Sequence, residues 1–335
     1  MSFFSSSIGI DLGTATTIVY VPAKGIVVYE PSIVAIDIRT RKVLAVGKEA
    51  KEMVGKTPEN IQAIRPLRDG AITDFEVTQV MLSYFIKRSI GNTLFRPRPL
   101  VVIGVPSGIT PVEKMAVIDA AKSAGAREVY LIAEPMAAAI GADLPIDEPV
   151  GNMIVDIGGG TTEIAVISLA GIVVANSLRI AGDEMNEAII QYIKKNFHML
   201  IGEQTAERIK IDLGSAIIEE EERKMEIRGR DMTGLPKTVE ITNRHITEAL
   251  EDIVNSIINA IRVALEKTPP ELAADIADTG ITLAGGGSLL KNLDKRITME
   301  TGIKARYCED PILAVAKGVG RVLDNIELIR RVSME

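Results

Sequence analysis

Two short stretches of the chain carry acids, glycines and hydroxyls at one shared spacing, D-x-G-x-x-T-T. They are Asp11-Leu12-Gly13-Thr14-Ala15-Thr16-Thr17 and Asp156-Ile157-Gly158-Gly159-Gly160-Thr161-Thr162. A polyphosphate needs several backbone N–H donors near its oxygens, and only a turn with little side-chain bulk lets the main chain come that close. Gly13 and the run Gly158, Gly159, Gly160 meet that need, and Thr14, Thr16, Thr161 and Thr162 add hydroxyls. Asp11 and Asp156 would repel phosphate directly, but at strand ends they suit a hydrated Mg²⁺ held between them. The pair of motifs therefore points to a Mg-nucleotide ligand.

A third glycine cluster, Leu283-Ala284-Gly285-Gly286-Gly287-Ser288-Leu289-Leu290, follows a strand-like run. We expect it to open a helix, an arrangement that brings backbone close to a flat ring and suits the nucleoside end of the ligand. Neither the G-x-x-x-x-G-K-[ST] loop nor the G-x-G-x-x-G turn of a βαβ unit is present, so such a site works without a P-loop lysine. Hydrolysis also needs a group that positions water beside the terminal phosphate. Glu134, in Ala133-Glu134-Pro135-Met136-Ala137-Ala138-Ala139-Ile140-Gly141, is a carboxylate on a turn feeding a helix and fits that task.

These residues must be held by rigid elements. Apolar runs of strand length fall at Ile8–Ile10, Thr17–Val21, Gly25–Tyr29, Ser32–Ile36, Leu100–Val105, Val129–Ile132, Met153–Ile157, Glu163–Ser168, Ile172–Ser177 and Thr279–Ala284, with helical segments between the later ones. The pattern is α/β. Ile246, Leu250, Ile253, Val254, Ile257, Ile258, Ile261 and Leu265 form one stripe of a helix expected over Thr247–Glu266, closed by Pro269-Pro270. A second helix is expected from Pro111 to Ala124, capped by Thr110 and ending beside Gly125. Both read as scaffold, and the charge run Glu219–Arg223 reads as a solvated helix face or loop without a function. The motif repeat places one strand-flanked phosphate turn in each half, which implies two similar α/β domains facing each other across one ligand.

Composition narrows the classes. The 335 residues are 47% hydrophobic and 25% charged, a balance that supports about two globular domains. A net charge of −7 supplies no general basic field, which argues against nucleic acid as a partner. Cys308 is the one cysteine, and His198 and His245 are the only histidines, so no Cys/His metal cluster is expected and a reducing compartment fits best. The opening MSFFSSSIGI has no basic signal-type region, and no run reaches the ~18 apolar residues of a membrane span. The expectation is a cytoplasmic protein.

In order along the chain, IGIDLGTATT, EPMAAAIG, IVDIGGGTTE, LAGGGSLL and AVAKGVGRVL (Ala314–Leu323) resemble the phosphate 1, connect 1, phosphate 2, adenosine and connect 2 motifs of the actin-like ATPases. The text between them, notably GIVVYEPS (Gly25–Ser32), RDGAITDFEV (Arg68–Val77), AGDEMNEAII (Ala181–Ile190), TAERIK (Thr205–Lys210) and TPPELAADI (Thr268–Ile276), is similar to the MreB family of bacterial actins over essentially the whole length. The resemblance implies an actin-like fold, two RNase H-like α/β domains each with an inserted subdomain and a nucleotide in the cleft between them. Subdomain IA would comprise residues 1–32, 75–142 and 318–335, IB 33–74, IIA 143–181 and 244–317, and IIB 182–243.

Carried over position by position, the resemblance implies that Asp11 and Asp156 hold the Mg²⁺ shell through water, while Glu134 and Thr161 orient the attacking water. ATP or ADP would be bound by Gly13, Thr14, Ala15, Thr16, Gly158, Gly159, Gly160, Thr161, Thr162, Gly182, Asp183, Glu207, Arg208, Ile209, Lys210, Gly285, Gly286, Gly287 and Ser288. One position departs from the family, which has Asn where this chain has Thr16; a hydroxyl is still offered there. The family further implies slow ATP hydrolysis coupled to assembly into paired filaments that support rod cell shape. Its implied partners are other copies of the chain, the inner face of the cell membrane, and membrane proteins of the wall-elongation machinery.

The segment Gly91–Pro99 sets Leu94 and Phe95 between polar residues and two arginines, Arg96 and Arg98, and resembles a membrane-insertion loop, with Phe3-Phe4 a possible second contact. Burying two such side chains yields only about 3–6 kcal/mol before ordering costs, so one subunit would bind a bilayer weakly and a filament by avidity. The same phosphate turns serve two other classes. A chaperone of the Hsp70 type would need a substrate domain beyond connect 2, for which the remaining dozen or so residues are too few, and a sugar- or acetate-type kinase would need an acceptor pocket that no motif marks.

Overall fold

The computed structural model describes residues 7–22, 24–90 and 98–334. Leu94, Phe95, Phe3 and Phe4 therefore lie outside the described residues.

Two five-stranded sheets repeat one strand order. The first runs Glu128–Ala133, Leu100–Val105, Ser7–Leu12, Thr16–Val21, Gly25–Pro31. The second runs Ala305–Tyr307, Ile281–Ala284, Asn152–Ile157, Thr162–Ser168, Gly171–Leu178. In each, three strands form an antiparallel meander and the remaining two add in parallel to the first strand of that meander. The D-x-G-x-x-T-T turn joins the same two strands in both sheets, so the repeat in sequence is a repeat in topology. Asp11 pairs in register with Gly104 and Asp156 with Ala284, which sets the two acids at matching places beside the ends of parallel neighbours.

Period-2 alternation explains the layering. Val101, Ile103 and Val105 point into one core with Met81, Leu82 and Phe85 of the helix Phe75–Ile90 and Val117 of the helix Pro111–Ser123, whereas Val102 points the other way. Met153, Val155 and Ile157 face the stripe of the long helix Asn243–Glu266, whereas Ile154 points back. Val102 and Ile154 thus meet in a third, central core with the helices Glu134–Gly141 and Ala314–Leu323 between the sheets. The central strands of both sheets are covered on both faces, which is why they read as nearly continuous apolar runs.

Two smaller pieces sit on this frame. Val43–Val46, Val34–Asp37 and Ile61–Ile64 form an antiparallel sheet carrying the helix Lys48–Met53, with Ile33, Ala35 and Ala50 as its core. In the second half, Met199–Leu200, Lys224–Asp231 and Pro236–Thr242 form another, beside the helices Gly182–Phe197 and Glu203–Leu213. Among the described residues no helix is long and apolar enough to cross a membrane.

The structure corrects several sequence expectations. The long helix begins at Asn243, because Thr242 accepts from the N–H of His245 and His245 Nδ1 accepts in return from the N–H of Thr242. Thr279 ends the helix Pro270–Thr279, and the strand starts at Ile281 after Gly280. The third glycine cluster makes only a 3₁₀ turn, Gly286–Leu289; the α-helix behind it starts at Leu293. The Pro111 helix ends at Ser123, with Thr110 and Glu113 forming a reciprocal cap.

Candidate functional site

The two glycine turns face each other and touch. A Cβ on Gly159 would lie 2.6 Å from that of Ala15, and one on Gly160 would lie 2.8 Å from Thr14 Oγ1, so side chains at these positions would wedge the halves apart. Each turn is braced from behind. Ser32 Oγ donates to Gly13 O (2.6 Å) and lies 2.8 Å from Thr17 Oγ1, while Gly70 N donates to Thr14 Oγ1 (3.1 Å). In the second half Gly158 N donates to Thr161 O (2.8 Å), and Gly158 O and Gly159 O accept from the N–H groups of Gly182 (3.2 Å) and Asp183 (2.7 Å). The second turn therefore docks directly on the start of the helix Gly182–Phe197.

Between the turns lies a cavity of about 540 Å³, within the range of cofactor sites. Asp11, Glu134 and Asp156 line it together with Gly13, Thr14, Ala15, Thr16, Gly158, Gly159, Gly160 and Thr161. Burial pushes Asp11 up to about 7. Burial, and then the charges of Glu163, Asp11 and Asp156, push Glu134 well above the ordinary carboxylate range. Asp156 is raised likewise, by burial and then by Asp11 and Glu163. Crowded acids of this kind call for a counter-charge. Among the described residues no three His, Cys, Asp or Glu side chains form a ready metal cage, but a pair of hard carboxylates beside backbone donors fits Mg²⁺, which keeps most of its water and completes its shell with phosphate.

The far end of the cavity is built by the helix Glu203–Leu213 and the third glycine cluster. Glu207, Lys210, Ile211 and Gly214 follow helical spacing on the face that lines it, with Gly182, Asp183, Gly285, Gly286 and Gly287 opposite. Lys210 Nζ donates to Gly182 O (2.9 Å). Burial lowers the Lys210 ammonium against the pull of Glu207, Asp183 and Glu203. Helical spacing also shows which expected residues fall elsewhere: Arg208 is exposed on the outer face and Ile209 is fully buried in the core. Thr162 and Ser288 do not line the cavity either. Thr162 Oγ1 holds Ile180 O (2.7 Å) and Ser288 Oγ holds Gly285 O (2.7 Å), so both shape the backbone around it.

Other residues at the site carried no sequence signal. Lys51, on the helix Lys48–Met53, and Arg65, just past the strand Ile61–Ile64, reach across the mouth of the cavity from the first half: Lys51 pairs with Glu207 (3.2 Å), and Arg65 with Asp183 (3.0 Å) and Glu203. Gln204 Nε2 also donates to Lys51 O (2.9 Å). The Glu219–Arg223 run is a loop whose Glu220, Glu221 and Glu222 are exposed as expected, but its two ends, Glu219 and Arg223, form a knot of bonds. Glu219 accepts from Arg223 (2.7 Å), Asn243 (3.2 Å) and Lys291, and both Arg223 and Lys291 line the cavity. Ile211 and Gly214 were accessible in principle, each four residues beyond an expected contact on one helix.

Duplicated α/β sheets with phosphate-type turns facing across a shared cleft define an actin-like fold. MreB5 of Spiroplasma citri bound to ADP superposes with a TM-score of 0.91 at 38% identity, over 96% of this chain and 97% of that one. The MamK double helical filament superposes at 0.82 with 22% identity and shares the fold. The MreB/Mbl protein family model matches residues 5–331, and the chain belongs to that family. It is 52% identical over 330 residues to the cell shape-determining protein MreB of Escherichia coli K12, covering 97% of this chain and 95% of that protein. It is 49% identical over 325 residues to the cell shape-determining protein Mbl of Bacillus subtilis 168, with 97% of both covered.

Proposed function

We propose that this chain is a cytoskeletal ATPase that binds Mg-ATP between the two glycine turns, polymerises into paired filaments on the inner face of the cell membrane, and supports rod cell shape by organising wall synthesis. The observation that carries the reading is the pair of touching turns with Asp11, Glu134 and Asp156 gathered in one cavity between them. Its membership of a family with cell shape-determining relatives, and the ADP and AMPPNP named for MreB5 of Spiroplasma citri, support it.

In this reading the N–H groups of both turns hold the phosphates, and Asp11 and Asp156 would hold the water shell of a Mg²⁺ that, when bound, would offset phosphate charge. Glu134 and Thr161 orient the water, and Glu207, Lys210 and Gly285–Gly287 border the nucleoside. Four subdomains, with insertions at 33–74 and 182–243, follow the two small sheets. Leu94 and Phe95 supply the membrane contact, and membrane proteins of the wall-elongation machinery are the further partners.

Electron microscopy of ATP-loaded protein with and without liposomes, run beside a phosphate-release assay, tests the reading. We expect filaments, slow release, and liposome co-sedimentation that Leu94→Ala plus Phe95→Ala abolishes. Turnover that depends on an added acceptor, without filaments, would replace this reading with that of a small-molecule kinase.

A further inference from the structure

The two D-x-G-x-x-T-T repeats diverge at the next residue, which is Ile18 in the first half and Glu163 in the second. Both positions pair in register with the motif acid, Ile18 with Asp11 and Glu163 with Asp156. Both are buried, Ile18 at 2% exposure and Glu163 at 0%. One topology thus accepts an aliphatic side chain in one copy and a carboxylate in the other, so the sheet does not itself require an acid there. A carboxylate without exposure is costly unless its oxygens are bonded.

Two of the three bonds to Glu163 run between the halves. Glu163 Oε2 accepts from the backbone N–H of Ser107 (3.0 Å) and from Ser107 Oγ, and Oε1 accepts from Ser177 Oγ. Ser177 belongs to the second sheet, directly opposite Glu163. Ser107 belongs to the first half, in the turn that follows the strand Leu100–Val105. That strand pairs with Glu128–Ala133, Val105 opposite Ala133, so Glu134 and the Ser107 turn leave adjacent strand ends. Gly70 sits beside both this turn and Thr161 of the second half: a Cβ on Gly70 would lie 2.4 Å from Pro106 Cγ and 3.2 Å from Thr161 Cγ2.

We propose that Glu163 is a positioning residue for ATP hydrolysis, clamping the Ser107 turn to the second sheet so that Glu134 of one half and Thr161 of the other bear on the same water. The role rests on the ATPase reading above. Nucleotide binding is left to the glycine turns, so the clamp acts on turnover and not on affinity, because small misplacements of catalytic groups cost rate steeply.

The test compares Glu163→Ile, Glu163→Gln and Ser107→Ala in full-length protein, reading phosphate release, ATP affinity and amide exchange at Ser107. Glu163→Ile copies the first half; turnover should fall about 30- to 100-fold while the Kd for ATP stays within about threefold. Ser107 should lose exchange protection. Glu163→Gln should keep turnover within about threefold, since the Gln oxygen can face the Ser107 N–H and its amide can donate to the rotatable Ser177 hydroxyl. Ser107→Ala keeps the main-chain bond and should cost about 3- to 10-fold, which decides the matter even if Glu163→Ile does not fold. Wild-type turnover in Glu163→Ile, equal losses of affinity and rate, or a Gln variant as slow as Ile would each overturn the role alone. Wild-type protein without any ATP turnover would sink the ATPase reading and this role with it.

Discussion

Gly141 and Gly318 meet backbone to backbone where the helices Glu134–Gly141 and Ala314–Leu323 cross: a Cβ on Gly141 would lie 1.8 Å from Ala314 O, and one on Gly318 1.8 Å from Ala137 O. The obstacle in each case is main chain, which cannot rotate aside. Gly141→Ala or Gly318→Ala should therefore force the helices apart and cost about 1–3 kcal/mol or more. Thermal unfolding of both variants checks this, and unchanged midpoints would contradict so close a crossing.

Glu134→Ala should slow phosphate release by about 10²- to 10⁴-fold while ATP still binds, because water positioning is lost and the glycine turns are intact. Release under single turnover and equilibrium ATP binding measure the two separately. A parallel loss of affinity would move Glu134 from water positioning to ligand binding.

The ion pairs of Lys51 with Glu207 and of Arg65 with Asp183 and Glu203 close the mouth of the cavity, and all but one of these five groups line it. Partly exposed pairs are worth about 0.2–1 kcal/mol each, so losing all three in Arg65→Ala plus Lys51→Ala should speed nucleotide release about 3- to 150-fold. Added salt should narrow the difference between variant and wild type. Stopped-flow displacement of a fluorescent ATP analogue gives the rates, and release equal to that of the wild type at low salt would show that the mouth does not limit exchange.

Partial burial tends to raise Glu219, but hydrogen bonds from Lys291, Arg223 and Asn243 overcome it and hold the carboxyl at about 2, below its ordinary 4.5. A carboxylate depressed on folding adds stability above its unfolded value, and that stability is lost as pH falls from 4.5 towards 2. Glu219→Gln should therefore lower the melting temperature at neutral pH, with the gap to wild type shrinking below about pH 4.5. Paired melting curves across that range would decide it; a gap that grows on acidification has the wrong sign.

Much of the frame was readable from the chain because its strands are buried on both faces. Leu100–Val105 is apolar throughout, and Ser7–Leu12 and Asn152–Ile157 are mostly apolar apart from a polar first residue and the hairpin acids Asp11 and Asp156; short runs of that kind are the plainest strand signal. The hairpin Lys224–Asp231 with Pro236–Thr242 escaped notice because it alternates charge with few apolar residues and buries little beyond Ile227 and Ile241. Val43–Val46 and Ile61–Ile64 are only four residues long, and their sheet exists through pairing that no local pattern displays.

The site divides in the same way. Acids and glycines of the turns are local, so spacing alone exposed them. Reading Glu207 to Lys210 as one continuous contact ignored the helix that carries them, and Arg208 and Ile209 consequently face elsewhere. Lys51, Arg65 and Glu163 matter through partners more than fifty residues away in sequence, at Glu207, Asp183 and Ser107, and only folding brings those together.

The crossing at Gly141 and Gly318 also has a mechanical meaning. Among the described residues the halves are joined there by close-set main chain, touch again at the glycine turns and through Glu163 and Ser107, and are bridged at the cavity mouth by the side chains of Lys51, Arg65 and their partners. The subunit thus resembles tongs held tightly at the pivot and lightly at the tips. A ligand gripped midway along the arms moves the tips further than it moves itself. On the function proposed above, a neighbour resting on both tips would register whether the jaws are full without touching the nucleotide.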